Sequence, residues 1–189
     1  MKIPQVLTAG ECGQICWELR NIKHRAMVML MYDGALRLSE VCNMQVKHVD
    51  GKLSQVFIEQ SKGAKDRYVP IQPGTLNLLR DYWKKYRPHG FLFWSESQYM
   101  VPYASRTLQY LVGKAAVKAL HKHVNCHLLR HSRATHLLNA GMSIYDLSTF
   151  LGHANIETTT VYLHTATERL RGQLEIYGAR VTEQMAAVL

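Results

Sequence analysis

Four side chains in the second half of the sequence could together act on a phosphate diester. His127, Arg130, His153 and Tyr162 all fall between positions 127 and 162. A phenol can attack phosphorus as a nucleophile, and guanidinium and imidazole groups can stabilise the negative charge that develops on the phosphate oxygens. This set of residues therefore indicates a covalent phosphoryl-transfer site with Tyr162 as its nucleophile.

The stretch that carries these residues has the pattern of two helices joined by turns. His127 and Arg130 are three positions apart, so that on a helix they share one face. Apolar residues recur at helical spacing after them, and Gly141 stands where a left-handed helix end is expected. Ser143 predicts the N-cap of a short second helix. Gly152 would end that helix and leave the second histidine on a turn.

The ordered motifs of this stretch resemble those of a known family. H-x-x-R-H is followed by L-G-H, and then by a tyrosine nine residues after that histidine. This order resembles the C-terminal signature of the tyrosine recombinases, the phage integrase family. Upstream, L-R-x-S-E at positions 36–40 resembles the family's first arginine motif, and K-G-x-K-x-R at positions 62–67 resembles its β-hairpin motif. The resemblance covers roughly residues 8–165.

The resemblance implies a fold, a reaction and a set of catalytic residues. The fold is α+β and mainly α-helical, with a small antiparallel β-hairpin or sheet. The implied catalytic set is Arg37, Lys62, His127, Arg130, His153 and Tyr162. In it the tyrosine forms a 3′-phosphotyrosyl bond with DNA, the arginines bind the phosphate, the lysine protonates the leaving 5′ oxygen, and the histidines hydrogen-bond the phosphate or assist proton transfer. The reaction would need no metal ion, other cofactor or ATP.

Further residues are expected to support this set or to bind DNA. Glu40, three positions after Arg37, is expected to pair with it or to orient a neighbour, with an ordinary surface carboxylate as the alternative. His131 directly follows Arg130 and is expected to lie behind the site. Basic residues of the hairpin and of a later helix have two interpretations, DNA contacts or a solvated surface. The predicted DNA contacts are Lys65, Arg67, Lys114, Lys118 and Lys122.

The composition agrees with a nucleic-acid partner. The 189 residues include 23 Lys and Arg against 14 Asp and Glu, a formal net charge of +9, which favours a polyanion such as double-stranded DNA. A hydrophobic content of 47% indicates a packed core. No apolar run is long enough to span a membrane and no signal peptide is visible. We therefore expect a cytoplasmic, nucleoid-associated protein of a prokaryote, a phage or a mobile element.

Metal-dependent alternatives find little support in the sequence. The four cysteines form no C-x-x-C pair and are expected to be reduced, buried thiols. The spacing of His121, His123 and Cys126 matches no common zinc pattern. A two-metal nuclease needs clustered carboxylates, but only Asp146 and Glu157 lie between the first motif histidine and the tyrosine. The sequence therefore predicts no metal site.

The remaining patterns predict the elements that would hold the site. They are, in chain order, a helix capped by Thr8 and running to about residue 20, a helix at about 24–32, strands at 56–58 and 68–71, a helix at 73–86, a short buried segment at 91–94 and a helix capped by Ser105. The whole chain, residues 1–189, is expected to be a single catalytic domain with its core at 8–165 and without an N-terminal DNA-clamping domain. A helical tail at 166–189 is expected to dock on a neighbouring subunit, in a tetramer on two DNA sites, or on its own domain.

Two other functions remain compatible with parts of the sequence. Residues 128–151 also resemble a helix-turn-helix with Gly141 at its turn, which predicts a DNA-binding module without catalysis. This alternative leaves Arg37, Lys62 and Tyr162 unexplained. Type IB topoisomerases share the phenol chemistry, and such an enzyme would relax DNA without a partner site.

Overall fold

The fold combines a helical body with one small sheet. The computed structural model describes residues 6–59, 66–95, 100–153 and 155–165. In chain order these residues form α1 (Ala9–Glu18), α2 (Ile22–Asp33), α3 (Leu38–Cys42), β1 (Val49–Asp50), β2 (Gln55–Ile58), β3 (Arg67–Pro70), α4 (Pro73–Tyr86), α5 (Ser105–Leu120), α6 (Cys126–Asn139) and α7 (Ile144–Leu151). Short 3₁₀ helices lie at Val46–His48, Ile156–Thr158 and Thr160–Thr165. This architecture confirms the predicted fold class.

The first two helices begin where capping side chains stand. The Thr8 hydroxyl accepts from the backbone N–H of Glu11 at 3.1 Å, and the Glu11 carboxylate accepts from the N–H of Thr8 at 2.8 Å. This confirms the predicted capping box, although α1 ends slightly earlier than expected. The second helix begins at Ile22, earlier than predicted, because the side chain of Asn21 caps it by accepting from the N–H of Lys23.

The sheet is antiparallel, with its strands in the order β1–β2–β3. The second and third strands form the predicted hairpin, with Val56 opposite Val69 and Ile58 opposite Arg67. The first strand has no sequence signal, since it contains only two residues, of which Val49 pairs with Val56. Side chains alternate between the two faces of a strand, so that Arg67 and Val69 both lie on the buried face of β3. The arginine at the base of the hairpin therefore points into the protein.

The two helices that carry the motif residues end at the predicted glycines, and the second begins at its predicted cap. Asn125 caps α6 by accepting from the N–H of Leu128 at 2.8 Å. The helix closes at Gly141, where φ is +110° and where the N–H groups of this residue and the next bond back to the last turn. Ser143 caps α7, and Gly152 ends it with φ at +67°.

One predicted cap is wrong. Ser105 is the first residue of α5, and Ala104 takes the cap position without a side-chain hydrogen bond. The carbonyl of Ala104 accepts the first helical bond, from the N–H of Leu108, so that the serine lies inside the first turn. The predicted helix at Pro73–Tyr86 is confirmed, and Leu92 and Phe93 are buried as expected of their segment. All four cysteines are free and buried, as predicted.

Two apolar clusters stabilise this architecture. The larger one joins residues of α1 to α6 with the inner face of the sheet. The smaller one packs α6 and α7 against the last 3₁₀ helix, and its buried members are Ala35, Ala134, Leu138, Leu147, Leu151 and Tyr162. The motif tyrosine therefore belongs to the packing of the two motif helices.

Three of the predictions fall on parts of the chain that are not described. Lys62 and Lys65 lie between residues 59 and 66, outside the described residues, and so does the expected tail at 166–189. Within the described ranges, none of the helices has the length and apolar character needed to cross a lipid bilayer.

Candidate active site

Arg37 stands at the start of α3 and is partly exposed. The Glu40 carboxylate accepts one hydrogen bond from the backbone N–H of Arg37 at 2.7 Å and another from its Nη1 at 2.9 Å. The side chain of Arg37 is 41% exposed, whereas that of Glu40 is 8% exposed. The carboxylate therefore lies beneath the guanidinium and holds it at the protein surface.

Arg67 approaches the same carboxylate from the sheet. Its Nη1 and Nη2 donate to the two oxygens of Glu40, each at 3.1 Å, in the forked geometry that binds carboxylates strongly. Its Nε donates to the backbone oxygen of Phe150 at 3.1 Å. This differs from the predicted DNA contact, because the alternation of strand β3 turns Arg67 to the buried face and leaves its side chain 7% exposed.

Arg130 lies beneath the surface on α6, with its side chain 4% exposed. Its Nη1 donates to the backbone oxygen of Ala35 at 2.5 Å, and its Nη2 donates to that of Leu151 at 2.9 Å. The same Nη2 approaches Nε2 of His153 at 3.3 Å, and Nη1 is 3.8 Å from Glu40. The guanidinium therefore fixes the end of α7 and reaches both the carboxylate and the histidine.

These three guanidiniums surround one carboxylate, and their charges keep it ionised. Burial alone would raise the pKa of Glu40, but the hydrogen bonds and charge of Arg67, the hydrogen bond from the backbone N–H of Arg37 and the charge of Arg130 hold this pKa below its usual value. Burial, and then repulsion from Arg37, lowers the pKa of Arg130 to about 10, which still leaves it cationic at neutral pH. The cluster therefore carries three positive charges against one negative charge.

His153 follows the left-handed glycine and turns back toward the cluster. Its Nδ1 is 2.8 Å from Oγ1 of Thr159, and its Nε2 faces Arg130. Because a guanidinium can only donate, Nε2 accepts, and we assign the proton to Nδ1, which donates to the threonine. Burial, and then repulsion from Arg130, Arg37 and Arg67, lowers the pKa of His153 to about 4. The imidazole is therefore neutral at pH 7.

An open cleft adjoins the guanidiniums. His127 lies exposed in the first turn of α6 and forms part of its wall. The cleft has a volume of about 420 Å³. Its polar lining residues are Arg37, Ser39, Ser105, Gln109, His127 and Arg130. A cleft with these cationic walls can accept an anionic group such as a phosphate.

Tyr162 lies in the Thr160–Thr165 3₁₀ helix and is buried. It is 5% exposed, and its ring packs on the imidazole of His131 with the ring centroids 4.9 Å apart. Burial raises the pKa of Tyr162, while the charge of Arg130 opposes this shift. Ionising this phenol at neutral pH therefore costs more than the roughly 4 kcal/mol that an ordinary phenol needs.

The described residues offer no cluster of metal ligands. In this part of the chain no group of three or more His, Cys, Asp or Glu side chains is arranged so that it could hold an ion. The positive charge at the cleft comes from the guanidiniums, which are the groups that would meet an oxyanion there.

Comparison with known proteins shows which family has this arrangement. The profile of the Phage integrase family matches residues 5–169. The chain belongs to the phage integrase family. A tyrosine recombinase, XerA of Pyrococcus horikoshii, is 32% identical over 174 residues, which cover 92% of this chain and 61% of that protein. The family resemblance inferred from the motifs is thereby confirmed.

Solved structures show the same fold as this integrase chain. The crystal structure of XerA recombinase matches with a TM-score of 0.83 at 26% identity, over 94% of this chain and 65% of that one. The crystal structure of XerH recombinase bound to a palindromic difH substrate gives a TM-score of 0.78 at 20% identity, over 94% of this chain and 54% of that one. The chain therefore spans 54–65% of the length of these relatives.

In this integrase fold, the described lysines that were predicted to bind DNA do not line the cleft beside the arginines. Lys114 is exposed on α5. Lys118 pairs with Glu18, and Lys122 pairs with Glu11, so that both lysines tie the C-terminal end of α5 to α1. Exposed ion pairs contribute less than about 1 kcal/mol, so that a DNA phosphate can replace either carboxylate. A DNA contact by these residues stays a prediction.

The integrase site also depends on contacts that the motifs do not show. Thr159 is fully buried and holds His153 in place. Gly152 leaves room for Arg67, because a Cβ at this glycine would lie 2.6 Å from Nη1 of the arginine. The buried position of Arg67 could have been recognised from its alternation with Val69. The carbonyl groups that the arginines bind carry no sequence signal, since every residue has one.

Proposed function

We propose that this integrase chain cleaves and rejoins DNA strands through a 3′-phosphotyrosyl intermediate, in site-specific recombination. The observation that carries the proposal is the cluster of three guanidiniums around Glu40, which opens to solvent at Arg37 beside His127. A phosphate diester carries one negative charge, and attack by a phenol adds a second in the transition state. A site with excess positive charge, fixed before the substrate arrives, stabilises that transition state more than the ground state.

Arg37 and Arg130 are the proposed phosphate-binding groups. Both line the cleft, and both are oriented by hydrogen bonds that the protein already makes. His127, on the same face of α6 as Arg130, would add a hydrogen bond to the phosphate. Loss of one such donor typically lowers the rate by about 10²–10³.

Tyr162 is the proposed nucleophile. As its oxygen bonds to phosphorus, the bond from phosphorus to the 5′ oxygen breaks, and a 5′ hydroxyl is released. The phenol proton leaves to solvent as this bond forms. His153 would hydrogen-bond the phosphate or assist proton transfer, as the family resemblance implies, and the resemblance assigns protonation of the leaving oxygen to Lys62. The phosphotyrosyl bond keeps the energy of the diester, so that a second 5′ hydroxyl can reverse the step without ATP.

The buried state of the tyrosine implies that substrate binding exposes it. A phenol that is 5% exposed and packed on His131 is shielded from a phosphate in the open cleft. We infer that DNA binding moves the segment that carries Tyr162 out of its apolar contacts. The cleavage step would then occur only on bound DNA.

Double-stranded DNA is the proposed substrate. The formal net charge of +9 favours a polyanion, and the XerH relative was crystallised on its difH substrate. We further propose that residues 166–189 join subunits into a tetramer on two DNA sites, and that the protein acts at the nucleoid of a prokaryotic cell, for a phage, a mobile element or the host. The family relationship supports these proposals.

A covalent-trapping assay tests the proposed reaction. Nicked duplexes tiled across the DNA that flanks the gene are mixed with protein in EDTA and separated on a denaturing gel. Wild type and Tyr145→Phe, which alters an exposed tyrosine on α7, should give a shifted adduct, whereas Tyr162→Phe should give none. An adduct that survives Tyr162→Phe would refute the assignment of the nucleophile. DNA binding without any adduct would instead favour a helix-turn-helix binding module.

A further inference from the structure

Arg67 lies at the base of the hairpin, yet its guanidinium hydrogen-bonds to residues of the active site. All three of its guanidinium nitrogens donate, two to the Glu40 carboxylate and one to the backbone oxygen of Phe150. The side chain is 7% exposed. Its position on the buried face of β3, opposite Ile58, directs it toward α3 and α7 and away from solvent. A surface contact with DNA therefore does not explain the buried position of this arginine.

The contact with Glu40 changes what the other arginines can do. Glu40 is the acid that holds Arg37, and it is 3.8 Å from Arg130. An anion at this place competes with a phosphate for the same two guanidiniums. Arg67 takes up both carboxylate oxygens in a fork, and a paired carboxylate attracts its other neighbours less. The charges of Arg37 and Arg130 then remain available to the cleft.

The contact with Phe150 fixes the end of α7. Arg67 binds the carbonyl of Phe150, and Arg130 binds the next carbonyl, that of Leu151. The last carbonyls of a helix have no partners within it, and cationic side chains commonly satisfy them. Gly152 follows with φ at +67°, and a Cβ at this position would lie 2.6 Å from Nη1 of Arg67. Two arginines and one glycine therefore set the direction in which the next residue, His153, leaves the helix.

We propose that Arg67 is a positioning residue of this active site, which neutralises Glu40 and fixes the end of α7 so that Arg37, Arg130 and His153 face the bound phosphate. The inference rests on the proposed function, since it assigns Arg67 a role in the same reaction. It makes Arg67 part of the catalytic architecture without contact with DNA.

A matched arginine elsewhere in the chain serves as the control. Arg133 donates from Nε to the backbone oxygen of Asp33 at 3.2 Å and from Nη2 to its carboxylate at 3.0 Å. It therefore makes the same two kinds of contact as Arg67, a carbonyl and a buried carboxylate, and its side chain is 19% exposed. Arg133→Lys should destabilise the fold without changing the cleft.

The test compares Arg67→Met, Arg67→Lys, the double variant Arg67→Met with Glu40→Gln, and Arg133→Lys. Calorimetric titration with tungstate, an oxyanion shaped like phosphate, reports on the cleft without DNA. The adduct-forming rate on the nicked duplex that traps best reports on the reaction, and thermal unfolding reports on the fold. Arg67→Met should weaken tungstate binding about tenfold and slow adduct formation by about 10². Arg67→Lys keeps the charge but cannot make the forked pair of hydrogen bonds. It should therefore lose less tungstate affinity and less of the adduct-forming rate than Arg67→Met.

The double variant separates a positioning role from a structural one. Removing the charge of Glu40 as well should restore most of the tungstate affinity that Arg67→Met loses, because no carboxylate then competes for the remaining guanidiniums. Equal losses of tungstate affinity and of adduct-forming rate in Arg67→Lys and Arg133→Lys, or no recovery of tungstate affinity in the double variant, would overturn the proposal. So would weaker, less salt-dependent DNA binding with an unchanged adduct rate on saturating DNA, which is the signature of a phosphate contact.

The failure of this inference can be distinguished from failure of the proposed function. If wild type forms no adduct on any duplex yet binds tungstate, the tungstate series still decides the role of Arg67. If wild type does not bind tungstate, the cluster is not an oxyanion site and the positioning role is refuted.

Discussion

Two buried regions among the described residues contain cations, and they are built differently. Lys23 on α2 is 1% exposed, and its Nζ lies 5.2–5.8 Å from the ring centroids of Tyr86, Trp94 and Tyr103 while donating to the carbonyl of Trp94 at 3.3 Å. The arginine cluster instead shares the carboxylate of Glu40. Aromatic faces enclose the lysine on several sides, as expected of cation–π contacts.

The difference between these regions lies in their exposure. The lysine site is closed, so that its charge stabilises only the protein and joins α2 to α4, to Trp94 and to Tyr103. The arginine cluster is buried at Arg67 and Arg130 but opens to solvent at Arg37, whose side chain is 41% exposed. A buried charge whose partners are all internal indicates a structural role, whereas a cluster that opens on one side can also bind a ligand. Substitutions in the two regions should therefore separate stability from chemistry.

The largest effect is expected from Arg130→Met. It removes the donors to the carbonyls of Ala35 and Leu151 and leaves Glu40 with one partner fewer. Breaking a buried ion pair in this way should lower the free energy of unfolding by about 3–5 kcal/mol, and adduct formation should slow by about 10³ or more. Urea unfolding and the trapping assay measure the two effects. Arg80→Met, at an exposed position on α4, is the control, and an equal loss of rate in that variant would contradict the assignment.

Lys23→Met should affect stability alone. It removes the contacts with the aromatic rings and leaves the carbonyl of Trp94 without this donor, at a cost of about 2 kcal/mol in the free energy of unfolding. The rate of adduct formation by the folded protein should not change. Lys84→Met, which alters a side chain that is 69% exposed, should have little effect on either quantity. A slower reaction in Lys23→Met at unchanged stability would break the proposed distinction between the two regions.

Gly152→Ala tests the packing between Arg67 and the end of α7. Positive φ costs an alanine about 1 kcal/mol, and its Cβ would also displace the guanidinium of Arg67, which is 2.6 Å away. We expect a loss of about 1–2 kcal/mol in the free energy of unfolding and a reaction about tenfold slower. Gly141→Ala is a matched control, because it also has positive φ but its Cβ would meet nothing within 4 Å. Equal effects on the rate in the two variants would contradict the role of this contact.

The smallest effect concerns pH. The pKa of His153 is lowered to about 4 by burial, and then by Arg130, Arg37 and Arg67, against the opposing charge of Glu40. An unfolded histidine has a pKa of about 6.5, so that between these values the unfolded state binds more protons and stability falls as the pH falls. After allowance for solvent screening we expect this residue to contribute about 1 kcal/mol to the difference between pH 7 and pH 4.5. In His153→Gln the free energy of unfolding should fall by about 1 kcal/mol less between pH 7 and pH 4.5 than in wild type. The same dependence of stability on pH in both proteins would contradict the lowered pKa of His153.

How far the sequence predicts this molecule depends on how local each signal is. The motif helices were predictable because caps such as Ser143 and helix ends such as Gly141 act within one turn of the chain. Family membership followed from ordered motifs, and the comparisons confirm it. The three-arginine cluster was not predictable, since it joins α3, β3 and α6 through one carboxylate. The basic motif predicts a surface position for Arg67, although strand alternation with Val69 already indicates the buried face.

If the charges at the cleft serve a phosphotyrosyl reaction, the residue that becomes joined to DNA must be Tyr162, and mapping that residue decides the matter. Adduct formed on the best nicked duplex would be digested with nuclease and protease, and the peptide that retains a nucleotide would be sequenced by mass spectrometry. We predict a nucleotide on the phenol of Tyr162, linked through a 3′ phosphate. A nucleotide on Tyr145, on a histidine or on any other residue would exclude Tyr162 as the nucleophile, because the arginine cluster would then serve a different residue.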